Sequence, residues 1–591
     1  MNWDLTYHFK NQEEFEKGLE HVNKLLEEFK QFEGKLKEEE SFVKYFLLTR
    51  QFEVEVSKVY QYASLKSDLN KKDVENAANL NRCRMTLYSI SEITSYVEPE
   101  LITLGENKAM EYLNKHPEIE EFRFILEKLF RGAKHVLDAN SERLLSLYAP
   151  VTTSAAELYS ALAVGDGTNE KVKLKNKEVV TVTQGNYRAL IASSDNATDR
   201  KKIFEAVFKT YYDHKTTYAT IYNNVLQTNK AMAKARNYNS ILESYLYNNN
   251  IPTEVFTNLI EVAGTYNKAL KKYLRLRKKY LGLKQYHTYD RFLELAHSNK
   301  EYTYEEAKTL FFNAIKQFPQ DFQDKAHEVL RDGFVDVMEK EGKRTGAYSS
   351  SVANLHPFIL LNFDKTLDSV FTVAHEAGHS IHSMYATENQ PIMLQDYTIF
   401  VAEIASTFNE HALLDYFLLL PTATDDEKIM VIQKAIDEIM GTFYRQTLFA
   451  EYEYIANDKV ANGQPINYQV LSQIMIDLYK KYYGLDITKE GIKEYVWAYI
   501  PHLFYTPFYV YQYATSFAAS FKIYKDVKDQ IPGAFDRYIN LLKSGGSKYP
   551  VEQAKDAGVD FTKKDAYMAV VERMNNLVEE LEKLLNKKSI S

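Results

Sequence analysis

Three histidines fall within eight positions of FTVAHEAGHSIHSMYATENQ, residues 371–390, and a glutamate follows the first of them. His375 and His379 are four residues apart, so a helix presents both from one face, one turn apart. Two imidazoles so placed, with Glu376 beside them, form the H-E-x-x-H pattern of a metal-dependent hydrolytic site. A catalytic Zn²⁺ takes about three protein ligands and leaves one position for water, whose proton a neighbouring carboxylate can accept. His382 lies seven residues beyond His375, ~10.5 Å along a helix axis, so the three histidines fit one tetrahedral metal badly. A supporting or packing role is expected of His382.

A third ligand must come from elsewhere. The positions where a metzincin needs Gly and His are His382 and Tyr385, which excludes that class. The downstream carboxylates are Glu388, in a turn-like ATENQP segment, then Asp396, Glu403 and Glu410. Residues 398–416, TIFVAEIASTFNEHALLDY, read as a helix that is apolar all round, and such a helix is buried. A carboxylate inside it is costly unless it binds a metal or pairs with an Arg or Lys. Glu403 is therefore the expected third ligand, and the site becomes His375, His379 and Glu403 around one Zn²⁺ per chain, with Glu376 as general base. Glu410, on the same face as Glu403, is placed to orient a ligand histidine, while His411 points away into packing.

These residues need rigid carriers. Leu367, Val370, Phe371, Ala374, Ala377 and Ile381 recur at helical spacing, which predicts a helix over 367–385. The small residues Ala374, Ala377 and Gly378 are expected to let a substrate approach that helix closely. Just upstream, 342–364 breaks the helical period, with PFILLNF reading as a buried strand. The N-terminal part is helical: Phe15, Leu19, Val22, Leu25, Leu26, Phe29 and Phe32 line one helix, and similar patterns run through 40–67, 75–110 and 118–147. Ser154-Ala-Ala-Glu157 has the form of a capping box. At 171–187, KVKLKNKEVVTVTQGNY alternates as a β-hairpin with a turn at Asn176-Lys177, and a soft boundary falls between 165 and 198. A loop at 543–550 precedes a closing helix over 564–587.

Composition narrows the function classes. The 591 residues carry a net charge of −8 and no basic block, against a nucleic-acid partner. No run approaches the ~18–20 apolar residues of a membrane span, and the N-terminus lacks a signal-type apolar core, so a cytoplasmic location is expected. The lone cysteine, Cys83, excludes an internal disulfide and a Cys-rich zinc module. The 45 tyrosines, against 2 tryptophans, are expected mostly to pack.

The segments GKRTGAYSSS, HPFILLNF, FTVAHEAGHSIHSMY, IFVAEIASTFNE and PHLFYTPFYVYQYATSFA, in that order, resemble the oligoendopeptidase F family. These are bacterial zinc metallopeptidases related to thimet oligopeptidase and neurolysin. The resemblance spans nearly the whole chain. It implies a mainly α fold, two-lobed around a deep central channel, with small β-ribbon elements near the active site. It implies a helical N-terminal domain at 1–190, ending in the hairpin, and a catalytic domain at 191–591. It also implies hydrolysis inside short unstructured peptides, with the family's ligands falling on His375, His379 and Glu403 and its base on Glu376.

The family further uses a histidine and tyrosine hydroxyls near the scissile carbonyl. The candidates here are His502, Tyr505, Tyr509 and Tyr513, with Tyr509 and Tyr513 expected one turn apart after a helix start at Pro507. The spacing differs from the thimet branch, so which tyrosine meets the oxyanion stays open. GAYSSS is expected to line the cleft as a strand edge, with Gly346 allowing close approach and Tyr348 a possible substrate contact. Two other readings keep the same residues: a non-catalytic peptide-binding protein, and a carboxypeptidase that releases dipeptides. The oligomeric state is not legible.

Overall fold

The computed structural model describes residues 3–590. Its strands are few and short. β1 (Lys171–Lys173) and β2 (Val179–Thr181) form the expected antiparallel hairpin, with Val172 opposite Val180. Lys177 turns the chain with a φ of 71°, and the Asn176 carboxamide oxygen accepts from the Glu178 backbone. β3 (Val335–Asp336), β4 (Tyr348–Ser350) and β5 (Phe358–Leu360) make a second sheet in the order β3-β5-β4. β5, the PFILLNF strand, is central and fully buried, and β4 is an edge. Nearly everything else that is regular is helix, as the periodicity predicts.

The Cα packing divides the chain into two compact units, each assembled from three separated segments. The first takes residues 1–134, 299–419 and 519–559. In it, α1 (Gln12–Glu28) buries Phe15, Leu19, Val22, Leu25 and Leu26 against α2 (Glu39–Leu69). Phe358 and Leu360 of β5 belong to the same hydrophobic core, so the N-terminal helices pack directly on the sheet beside the histidine segment. Further helices of this unit are α3 (Tyr304–Ile315), α4 (Gln320–Val329), α5 (Leu367–Asn389) and α6 (Ile399–Leu419).

The second unit takes residues 135–298, 420–518 and 560–591, and the sequence boundary expected between 165 and 198 lies inside it. It includes α7 (Arg445–Ala461) and the closing helix α8 (Asp565–Ile590). Two local expectations fail here. The helix at 154–160 begins after Thr153 without a side-chain cap, and Ser154 Oγ donates back to the Val151 carbonyl, so no capping box forms. Pro507 does not open a helix. The chain turns through Phe508, at φ 55°, and the helix starts only at Tyr511. Phe508 can hold that conformation because its backbone N–H donates to the buried Glu453 carboxylate at 2.9 Å.

Candidate metal centre

α5 and α6 carry the centre. α5 opens at Thr366, whose hydroxyl accepts from the Ser369 backbone, and the Asp364 carboxylate accepts from both the Thr366 and Ser369 hydroxyls. This clasp sets where the helix begins, and so which face His375 and His379 occupy. The two helices approach closely at Gly378, where a Cβ would lie 2.5 Å from the Ala405 carbonyl oxygen and 2.5 Å from the Ser406 Cα. Asn409 adds a hydrogen bond from its side chain to the Ala374 carbonyl at 3.1 Å. Ala374 and Ala377 are themselves fully buried. The small residues therefore serve helix-to-helix contact rather than substrate approach, a correction to the sequence reading.

The result is a cluster of His375, His379 and Glu403 whose ligand-type atoms lie within 4.8 Å of one another. His375 Nε2 is 3.2 Å from His379 Nε2, and Glu403 Oε2 is 3.5 Å from each. Donors about 2.0–2.1 Å from a tetrahedral metal are separated by ~3.3–3.4 Å, so the triangle matches a zinc-sized ion. The chemistry of the set agrees. His375 Nδ1 donates to Glu410 Oε1 at 2.5 Å, which turns Nε2 toward the cluster, where it can give its lone pair to a metal. Donors this close are held together by a cation, either a proton shared between the two ring nitrogens or a metal ion in its place.

Charge points the same way. Burial works to lower the His375 pKa, but Glu410, Glu376 and Glu403 outweigh it and lift it to about 10. Burial and a cationic His375 push His379 down to about 4. Three carboxylates around two imidazoles thus hold one positive charge even without a metal. Burial raises Glu376 to about 7, while the charge of a cationic His375 pulls against it. Glu376 Oε2 is buried without a hydrogen-bond partner.

The other sequence candidates fall in definite places. Glu403 is less buried than the all-apolar reading of its helix implies, with 28% side-chain exposure. No Arg or Lys pairs with it among the described residues, and the Ser406 hydroxyl donates to its Oε2 at 3.0 Å. Glu388 is at the end of α5 rather than in a turn, and is paired with Lys325 at 2.7 Å. His382 stacks on Tyr397 with ring centroids 3.6 Å apart, and burial lowers its pKa to about 3. His411 packs among Phe521 and Tyr524. β4 is an edge strand, as expected of GAYSSS, but the Tyr348 hydroxyl is engaged by Asp68 at 2.7 Å. Gly346 takes a φ of 83°, a backbone conformation that favours glycine.

In the second unit, His502 lies 6.0 Å from the Tyr509 ring and 6.2 Å from the Tyr513 ring, and these two tyrosines are 5.5 Å apart. Tyr505 is 44% exposed and packs instead on Tyr159 at 5.4 Å. Sequence reasoning missed Ser406, although its spacing of three from Glu403 was a usable signal. It also missed Glu453, whose separation of 55 positions from Phe508 leaves no signal.

Comparison with known proteins identifies the family. The model of peptidase family M3 matches residues 190–573, and that of the oligopeptidase F N-terminal region matches 100–168. The chain belongs to peptidase family M3. It is 34% identical to oligopeptidase PepF of Bacillus subtilis over 99% of this chain and 87% of that protein. It is 33% identical to the group B oligopeptidase PepB of Streptococcus agalactiae over 99% and 97%. Among solved structures, a putative peptidase from Chlamydophila abortus superposes with a TM-score of 0.90 at 31% identity, covering 99% of this chain and 98% of that one. Oligoendopeptidase F from Enterococcus faecium gives 0.75 at 28%, covering 97% and 99%. The M3 chain is thus a mainly helical metalloendopeptidase. Among the described residues, no helix is long and apolar enough to cross a membrane.

Proposed function

We propose that this M3 peptidase is a zinc endopeptidase that hydrolyses short, unstructured oligopeptides. The observation that carries the reading is the 3.2–3.5 Å triangle of His375 Nε2, His379 Nε2 and Glu403 Oε2, with Glu376 one residue along the same helix. When bound there, one Zn²⁺ supplies positive charge that acidifies water and polarises a carbonyl. His375, His379 and Glu403 hold it, Glu410 fixes the His375 ring, and Ser406 fixes the Glu403 carboxylate.

Glu376 takes the proton of the attacking water and later delivers it to the leaving amine. Its buried, unpartnered Oε2 suits a group that must exchange a proton with substrate. The Ser349 hydroxyl meets that of Ser380, one turn beyond Glu376 on the same helix, at 2.8 Å, which sets the edge strand β4 against the helix of the base. A substrate strand added to that edge presents its backbone there, whatever its side chains. His502, with Tyr509 and Tyr513 beside it, is assigned to donate to the carbonyl oxygen as charge develops on it; Tyr505 is the weaker candidate.

The test is mass spectrometry of products from an end-blocked, internally quenched peptide. Wild type should cut internally, and a chelator should stop it. Glu376→Gln should retain wild-type zinc content while turnover falls about 10²- to 10⁴-fold. Undiminished turnover in Glu376→Gln would sink the mechanism, and release of C-terminal dipeptides alone would replace the endopeptidase reading.

A further inference from the structure

The second unit contains a cavity whose charge is left unanswered. Its walls include Arg291, Arg445 and Lys493, set among Tyr187, Tyr479 and Tyr483. With its mouth the cavity holds about 570 Å³ of empty space, but its interior is narrow and admits a ligand of only a few heavy atoms.

Three cations meet here from three distant stretches of chain. Lys493 is only 7% exposed, and its ammonium lies 5.2 Å from the Tyr479 ring centroid and 5.6 Å from that of Phe204. Arg291 and Arg445 are half-buried, over Phe292 and Phe449 respectively. Arg445 Nε is buried with no hydrogen-bond partner. Among the described residues, no carboxylate forms an ion pair with any of the three; Asp437, whose charge bears on Arg291, accepts instead from the Tyr273 hydroxyl and the Gln433 amide. Glu490, the acidic group whose charge bears on Lys493, is occupied elsewhere. Its carboxylate accepts from the Thr288 backbone at 2.9 Å and from the Thr288 hydroxyl at 2.5 Å.

Nor do the cations tolerate one another. Burial lowers the Lys493 pKa to about 7, and the charges of Arg445 and Arg291 add to that push. Burial and Arg445 likewise lower Arg291. A buried cation without a counter-charge costs several kcal/mol, and arginine cannot escape by losing its proton. The aromatic faces offset only part of that cost.

We propose that this cavity is a binding site for one small inorganic anion, held between the guanidinium groups of Arg291 and Arg445 and the ammonium of Lys493. Two planar guanidiniums suit an oxyanion of phosphate or sulfate size, and a halide satisfies the same charges with less directionality. The site lies within the second unit and shares no residue with the metal centre. Its role is to complete the packing of 187–292 against 445–496.

Thermal unfolding of the zinc-loaded full chain tests this, in HEPES at constant ionic strength, replacing gluconate by phosphate, sulfate or chloride. Wild type should show a saturable rise in Tm of about 2–4 °C with at least one of them. Lys493→Met and Arg445→Met, checked for folding by circular dichroism, should lose the increment. Lys493→Met should also unfold no earlier than wild type in gluconate, because it removes an unanswered charge. A merely structural lysine would instead lower the baseline. The same Tm in every anion, or an increment that survives both substitutions, overturns the proposal. Crystals soaked in bromide or selenate give a readout that needs no variant. An anomalous peak between the three cations is expected, the ion that produces it tells halide from oxyanion, and its absence in both soaks refutes the site.

Discussion

The metal centre and the cationic cavity are opposites built on the same plan. In the first unit, Glu376, Glu403 and Glu410 surround two imidazoles and leave the cluster short of positive charge. In the second, Arg291, Arg445 and Lys493 surround a narrow space and leave it short of negative charge. Each is poorly balanced as protein alone, and each becomes balanced with one ion of opposite sign. The difference lies in how the groups are delivered. The proposed metal ligands come from two adjacent helices whose spacing is fixed by contact. The cations come from three segments with no common period.

That contrast can be broken or sharpened by substitution. The largest effect is expected at Glu410. Glu410→Gln keeps an acceptor for His375 Nδ1 but removes its charge, and should weaken metal binding about 10- to 100-fold in a competition with a chromogenic chelator. An unchanged affinity would mean that the carboxylate adds nothing beyond geometry. Next comes the contact that fixes the spacing. Gly378→Ala puts a Cβ 2.5 Å from backbone atoms of α6. The helices must separate, at a cost of about 1–3 kcal/mol in urea unfolding and with a measurable loss of metal affinity. Stability lost with metal affinity intact would show that the donors adjust independently of the helices.

The last prediction concerns a third way of balancing buried charge. Glu453 is buried behind the Phe508 turn, and burial raises its pKa to about 8, so the folded chain answers this charge with a proton. Because the folded pKa lies above the unfolded one, the contribution to stability is complete below about pH 4.5. It falls as pH rises and is gone above about pH 8. Glu453→Gln should flatten the decline in Tm between pH 5 and 8 relative to wild type. Parallel profiles would mean that Glu453 stays ionised.

Legibility in the sequence followed the range of the interactions. His375, Glu376 and His379 were readable because one helix sets their spacing, and Glu403 because its neighbours read as a buried helix. The hairpin at 171–181 and the buried strand at 358–360 were readable for the same local reason, as alternation and an apolar run between turn residues. What failed depended on distant partners. Pro507 looked like a helix start, yet Glu453, 55 residues away, holds the next residue in a left-handed turn. Gly346 and Gly378 look alike in sequence, but one is needed for its φ and the other for the helix against it. Ser154 had the right spacing for a cap and used its hydroxyl on Val151 instead. The three cations of the cavity have no sequence signature at all, because nothing local relates 291, 445 and 493.

One consequence of the contact at Gly378 reaches past geometry. α5 and α6 are joined by backbone-to-backbone approach and by the Asn409–Ala374 hydrogen bond, neither of which involves a metal ligand. The donors are therefore arranged by folding, and the ordering cost that flexible metal modules meet only on binding has already been met. In linkage terms the first unit should behave as a chelator more than a metal-dependent fold. Stripping the ion should silence the peptidase while the helices remain in place, so activity should return on adding metal back, with no refolding step in between.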